Sequence, residues 1–361
     1  MRTIVAASLL AVAFSASAQD GALPKYTPQG HLSGVIRVSG NDKMAPLLKR
    51  WERGFRKHQP DVRFEETLKG TASAMYGLEM RTADIALMGR PVNPYERYGT
   101  YERSWVYPVE IEVATGSFAV PGKSPAYAIF VNEQNPLAHL TLKQLDGIYG
   151  AERAGGWNAL TWDEEAARGK DANIRTWGQL GLGGAWAGQS IHVYGPPNLG
   201  TGTTTYFQAR VMGGGEIFNE DLREYADRTK MLADLARDRD GIAYAPLGLR
   251  IPGVKPIALA EREGGPYVEL TRASVTDRSY PLARPVYIVF NIDNPRSEIS
   301  ATRGEPRVRE FLRYVLSEEG QRAVAHEGVY LPLPASVVGA QVAKLDFDGV
   351  PPERKLLRED D

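Results

Sequence analysis

Residues 198–214 read NLGTGTTTYFQARVMGG, with glycines and threonines alone filling positions 200–205 ahead of a run of helical character. Two other stretches share the design. VSGNDKMAP (38–46) and LKGTASAMY (68–76) also pass from a strand-like run through a Gly/Ser/Thr/Asn turn into a helical one. A helix start carries unpaired N–H groups and the positive end of the helix dipole, so it attracts an anion. Glycine lets the backbone come close to a ligand, and Ser and Thr hydroxyls add donors. Any one such turn is accounted for by N-capping alone. In a parallel sheet, however, three of them share one edge, where α/β proteins bind ligands.

Catalysis has no comparable starting point. The histidines at 31, 58, 139, 192 and 326 have no HExxH or H-x-H spacing, and no GxSxG, Walker or GxGxxG motif occurs. Without cysteine the chain has neither disulfides nor thiolate metal sites. Acidic neighbours such as Glu65–Glu66 and Glu164–Glu165 point apart on a strand or helix. No catalytic residue, metal site or cofactor is expected, and the chain does not read as an enzyme.

The elements that must hold the three turns alternate. GVIRVSG (34–40), VRFEET (62–67) and DIALM (84–88) are strand-like, and the run from Met44 to Phe55 and the stretch 70–82 are helical. Further strands are expected at 127–132, 191–195, 241–248 and 283–292, with helices at 141–150 and 305–328. This order predicts an α/β layer structure with a largely parallel sheet. Residues 153–188, rich in Gly and Trp, are expected to form a surface insertion, and 351–361 a flexible charged tail.

The N-terminus MRTIVAASLLAVAFSASAQD has a basic start, a short apolar run and Ala16-Ser17-Ala18, which predicts a cleavable secretory signal over 1–18. Export to the periplasm follows, with no lipid anchor. The 43 Lys and Arg against 44 Asp and Glu give a net charge of −1, so no nucleic-acid surface is expected. No second apolar run is long enough for a membrane span.

The segments GNDKMAPLLKRW, KGTASAMYGLEMRTADIALMGRP, IFVNEQNPLAHLTLKQLDGIYG, the Trp157 region, GTGTTTYF, GIAYAPLG and the closing helix with GVYLPLP occur in an order that resembles the PstS-like substrate-binding proteins of phosphate ABC importers. That resemblance implies a two-lobed type II periplasmic binding protein fold, each lobe a mainly parallel sheet flanked by helices. It implies lobe I over 31–130 plus 284–350, lobe II over 131–283, and a hinge at the strands 127–132 and 284–291. It also implies a monomer that passes phosphate or a related oxyanion to an ABC permease and ATPase. An exported scaffold without ligand and a secreted phosphatase remain as other readings.

Carried over by position, the family's Ser-Gly-Thr contact falls on Thr201, Gly202 and Thr203, and its second turn on Thr71, Ala72 and Ser73. The first turn supplies Asn41, Asp42 and Lys43. Two charged positions do not carry over. The family's strand-closing Asp is replaced by Gly89, followed by Arg90, and Pro197 stands where the family has an Arg. Two readings of the remaining charges stay open. In one, Asp42 supplies an acceptor for the phosphate proton and Lys43 and Arg90 the cations. In the other, Asp42 caps a helix and the cations are surface charges.

Overall fold

The computed structural model describes residues 22–104, 107–158, 161–197, 202–213, 215, 217–292 and 305–345. The predicted signal, the charged tail and Thr201 lie outside these. Four strands come first: β1 (Gly34–Gly40), β2 (Val62–Thr67), β3 (Ile85–Met88) and β4 (Val109–Thr115). The chain then crosses to β5 (Tyr127–Asn132), β6 (His192–Gly195), β7 (Arg223–Glu224), β8 (Gly241–Pro246) and β9 (Val254–Pro256), and returns with β10 (Pro285–Phe290). These make two five-stranded sheets, ordered β2-β1-β3-β10-β4 and β7-β6-β8-β5-β9. Two short two-stranded ribbons accompany the second.

Each sheet is mainly parallel, with four of its five strands running one way and one reversed. β1 runs parallel to β2 and β3, whereas β10 inserts antiparallel between β3 and β4. β6 runs parallel to β7 and β8, whereas β5 lies antiparallel between β8 and β9. The antiparallel strands are the two that adjoin the crossings. No helical crossover ties either one to its sheet neighbours, so parallel pairing is not imposed.

Helices cover the sheets by burying apolar stripes. In α1 (Ala45–Phe55), Leu47, Leu48, Trp51 and Phe55 lie on one face and are fully buried. α2 (Ala74–Glu79) and α3 (Pro94–Ser104) follow in the first lobe. α4 (Leu142–Tyr149) starts at a capping box of Thr141 and Gln144 and buries Leu145 and Ile148 in the second core. α5 (Gly202–Val211), α6 (Arg228–Leu235) and α7 (Arg272–Thr276) complete that lobe.

The run expected as one helix over 305–328 is two, α8 (Glu305–Val315) and α9 (Glu318–Glu327). Ser317 breaks it: its hydroxyl accepts from Gly320 N and donates to Tyr314 O, capping α9. α10 (Ala335–Leu345) packs on β4 and α8. Nor is 153–188 a mere surface insertion. Trp177 is fully buried in the second core, and Arg153 grips both oxygens of Asp146 at 2.8 and 2.7 Å.

Separate apolar cores fill the two lobes, one around Trp51, Phe55 and Phe311, the other around Tyr149, Phe207 and Tyr244. The two crossings lie side by side between them. Gly116 N donates to Arg284 O at 2.6 Å, and Tyr127 N to Leu282 O at 3.2 Å. A Cβ on Gly116 would fall 2.0 Å from Ser124 O, so only glycine fits where the outgoing crossing folds against itself.

Candidate functional site

The turns after β1 and β2, the end of β3 and the start of α5 converge on one cavity of about 400 Å³ between the lobes. β1 ends at Gly40, whose φ of +111° and a Cβ position 2.4 Å from Leu87 O exclude a side chain. Asn41 follows, nearly buried, with its Oδ1 accepting from Lys43 N at 2.9 Å. The second turn is tied to the first by Gly70 N donating to Gly40 O. It presents Thr71, whose Oγ1 accepts from Gly89 N at 3.3 Å. From the second lobe come Gly202 and Thr203 at the start of α5, and Arg228 at the start of α6.

Three guanidinium groups line the cavity, in different states of charge balance. Arg90 donates to both carboxylate oxygens of Glu96 at 2.7 and 2.6 Å and to Pro91 O. That bidentate pair neutralises it. Arg284, buried at the base of the cleft, donates to Tyr127 Oη at 2.8 Å and Gly89 O at 3.0 Å, and reaches Gly202 O at 3.5 Å. It also lies over the rings of Tyr127 and Tyr206. Arg228 donates to Thr203 Oγ1 at 3.1 Å.

Among the described residues, neither Arg228 nor Arg284 has a carboxylate partner, and the Nε–H of each is buried without an acceptor. A desolvated cation without a counter-charge is costly unless an anion joins it. Arg284 is such a cation, and together with the half-buried Arg228 and the threonine hydroxyls facing the same cavity it makes a receptor for an oxyanion.

A family model for the PBP superfamily domain matches residues 26–319. The phosphate-binding protein PstS of Pseudomonas aeruginosa is 30% identical over 343 residues, covering 95% of this chain and 96% of its own length. The chain belongs to the PstS-like family of the PBP superfamily. The phosphate-binding protein PstS of Staphylococcus aureus is 23% identical, over 87% of this chain and 83% of its own. A solved structure of PstS from Borrelia burgdorferi shares the fold, with a TM-score of 0.51 and 15% identity over 83% of this chain and 99% of that one.

Within this PstS-like chain, the expected site residues divide. Asn41, Thr71, Arg90, Gly202 and Thr203 line the cavity together. Asp42 and Lys43 are not among its lining residues; they are exposed and pair with each other at 2.7 Å. Lys43 holds the Asp42 carboxyl below the usual carboxylate range. Ala72 is exposed, and Ser73 Oγ turns back to Gly70 O at 2.8 Å.

Ser124, Tyr127, Arg228 and Arg284 line the cavity without belonging to any of the three turns. Arg284 stands at the mouth of the return strand and Arg228 just after the helix cap Asp227, where nothing in the local sequence marks an arginine as a ligand.

Proposed function

We propose that the protein captures phosphate, or a closely related oxyanion, in the interlobe cleft and delivers it to an ABC permease and ATPase. The observation that carries this reading is the pair of guanidinium groups, Arg228 and Arg284, facing one cavity without counter-charge. The near full-length likeness to a protein named for phosphate binding supports it. In this reading the lobes are 31–130 plus 284–350 and 131–283, and the ligand set is Asn41, Thr71, Arg90, Thr201, Gly202 and Thr203 with the two arginines. Arg284 bonds to a carbonyl of each turn, Gly89 and Gly202, so an anion on it is gripped from both sides and favours closure.

The protein acts as a monomer exported by the segment 1–18, cleaved after Ala18, and works in the periplasm. Among the described residues no helix is long and apolar enough to cross a membrane. Binding alone is assigned, not turnover. Thermal melting of the mature protein with phosphate, arsenate, sulfate and phosphonates tests the reading. A ligand at a hundred times its Kd stabilises by about 2.7 kcal/mol, so phosphate should raise the melting temperature by several degrees. No shift with any of these anions would refute it.

A further inference from the structure

The polar groups around the cleft differ in which half of a hydrogen bond they still offer. Thr71 Oγ1 accepts from Gly89 N, Thr203 Oγ1 from Arg228 and Tyr127 Oη from Arg284. Each of these oxygens keeps its own proton to donate. The Nε–H groups of Arg228 and Arg284 can only donate, and Asn41 Oδ1 is taken by Lys43 N. Ser124 is the reverse. Its Oγ donates to Gly89 O at 3.0 Å, so lone pairs are what it offers to the cavity it lines.

Ser124 is held in that state. It is nearly buried and has a φ of +47°, a strained value for a residue with a side chain. Its partner Gly89 O is fixed by Arg284 as well. Ser124 Oγ would lie 3.0 Å from a Cβ on Gly89, beside Asn41 Nδ2 at 2.7 Å, so acceptor and donors converge. Among the described residues that line the cavity there is no carboxylate, and the Asn41 amide oxygen is already engaged by Lys43 N.

Hydrogen phosphate keeps a proton where sulfate has none, and donors alone leave that P–OH unpaired. Resting on the oxyanion reading, we infer that Ser124 accepts the hydrogen bond from the P–OH and sets the preference for phosphate over sulfate. No proton is transferred; the hydroxyl discriminates by which anion can donate to it.

Ser124→Gly is the variant of choice, because glycine adopts the positive φ without strain, and Ser124→Ala is its companion. Gly89 O keeps its bond from Arg284 in both. Calorimetric titration of phosphate and of sulfate into wild type and the two variants reads the ratio of affinities. Phosphate should weaken about tenfold while sulfate changes by less than about twofold. A ratio that stays constant, whether both anions weaken together or neither does, would overturn the inference and leave oxyanion binding intact. A wild type that binds neither anion would overturn the oxyanion reading along with it.

Discussion

At Gly89 the chain has no side chain, and three polar groups crowd the direction a Cβ would take. They are Asn41 Nδ2 at 2.7 Å, Ser124 Oγ at 3.0 Å and Thr71 Oγ1 at 3.3 Å. A methyl group there meets side-chain tips rather than backbone, so the fold survives while the tips are pushed into the cavity. Gly89→Ala should therefore weaken phosphate binding on the order of tenfold, the scale of one disturbed hydrogen bond to a charged ligand, with little change in melting temperature. Calorimetry and a melting curve on the same sample check both halves. Unchanged affinity would mean that this convergence of side chains is not where the anion sits. Arg90 marks a related distinction: it lines the same cavity, but Glu96 holds both of its terminal nitrogens, so it brings less net charge to the cavity than Arg228 or Arg284.

Elements differ in how plainly their sequence declares them. α1 reads directly because Leu47, Leu48, Trp51 and Phe55 recur at helical spacing, and the Gly-hydroxyl turns read directly because their chemistry is local. α3, PYERYGTYERS, has no apolar stripe to find. The break between α8 and α9 rests on a serine whose capping partners become visible only in three dimensions. Arg228 and Arg284 lie far in sequence from the turns they complete, and only the fold brings them to one cavity. α1 also carries a pH-dependent feature.

Burial, and then the neighbouring Glu66, push the Glu52 carboxyl up to about 7, with Lys49 at 3.1 Å and one oxygen left unpaired. Because the folded value lies above the unfolded 4.5, Glu52 favours the fold when protonated. That contribution is complete below 4.5 and is lost as pH rises through about 7. Melting curves from about pH 5 to about pH 8 should fall for wild type and fall less for Glu52→Gln. Parallel curves would contradict the assignment.

For the whole molecule, the proposed function uses the arrangement of two cores, two adjacent crossings and a cavity between them to couple ligand binding to lobe closure. Gly116 N on Arg284 O stitches the outgoing crossing to the incoming one, and the same Arg284 points its side chain into the cleft. Its guanidinium touches the first lobe at Gly89 O and the second at Gly202 O. An anion there adds its charge where both lobes already meet, so the closed form gains differential affinity.

The central claim is that Arg228 and Arg284 together bind the oxyanion. Calorimetric titration of phosphate into the mature wild type and into Arg228→Gln/Arg284→Gln, with a melting curve to establish folding, tests it most directly. Each charge-assisted bond contributes about 1.5–3 kcal/mol, so the double variant should bind phosphate at least about a hundredfold more weakly than wild type. A folded double variant with wild-type affinity would contradict the account.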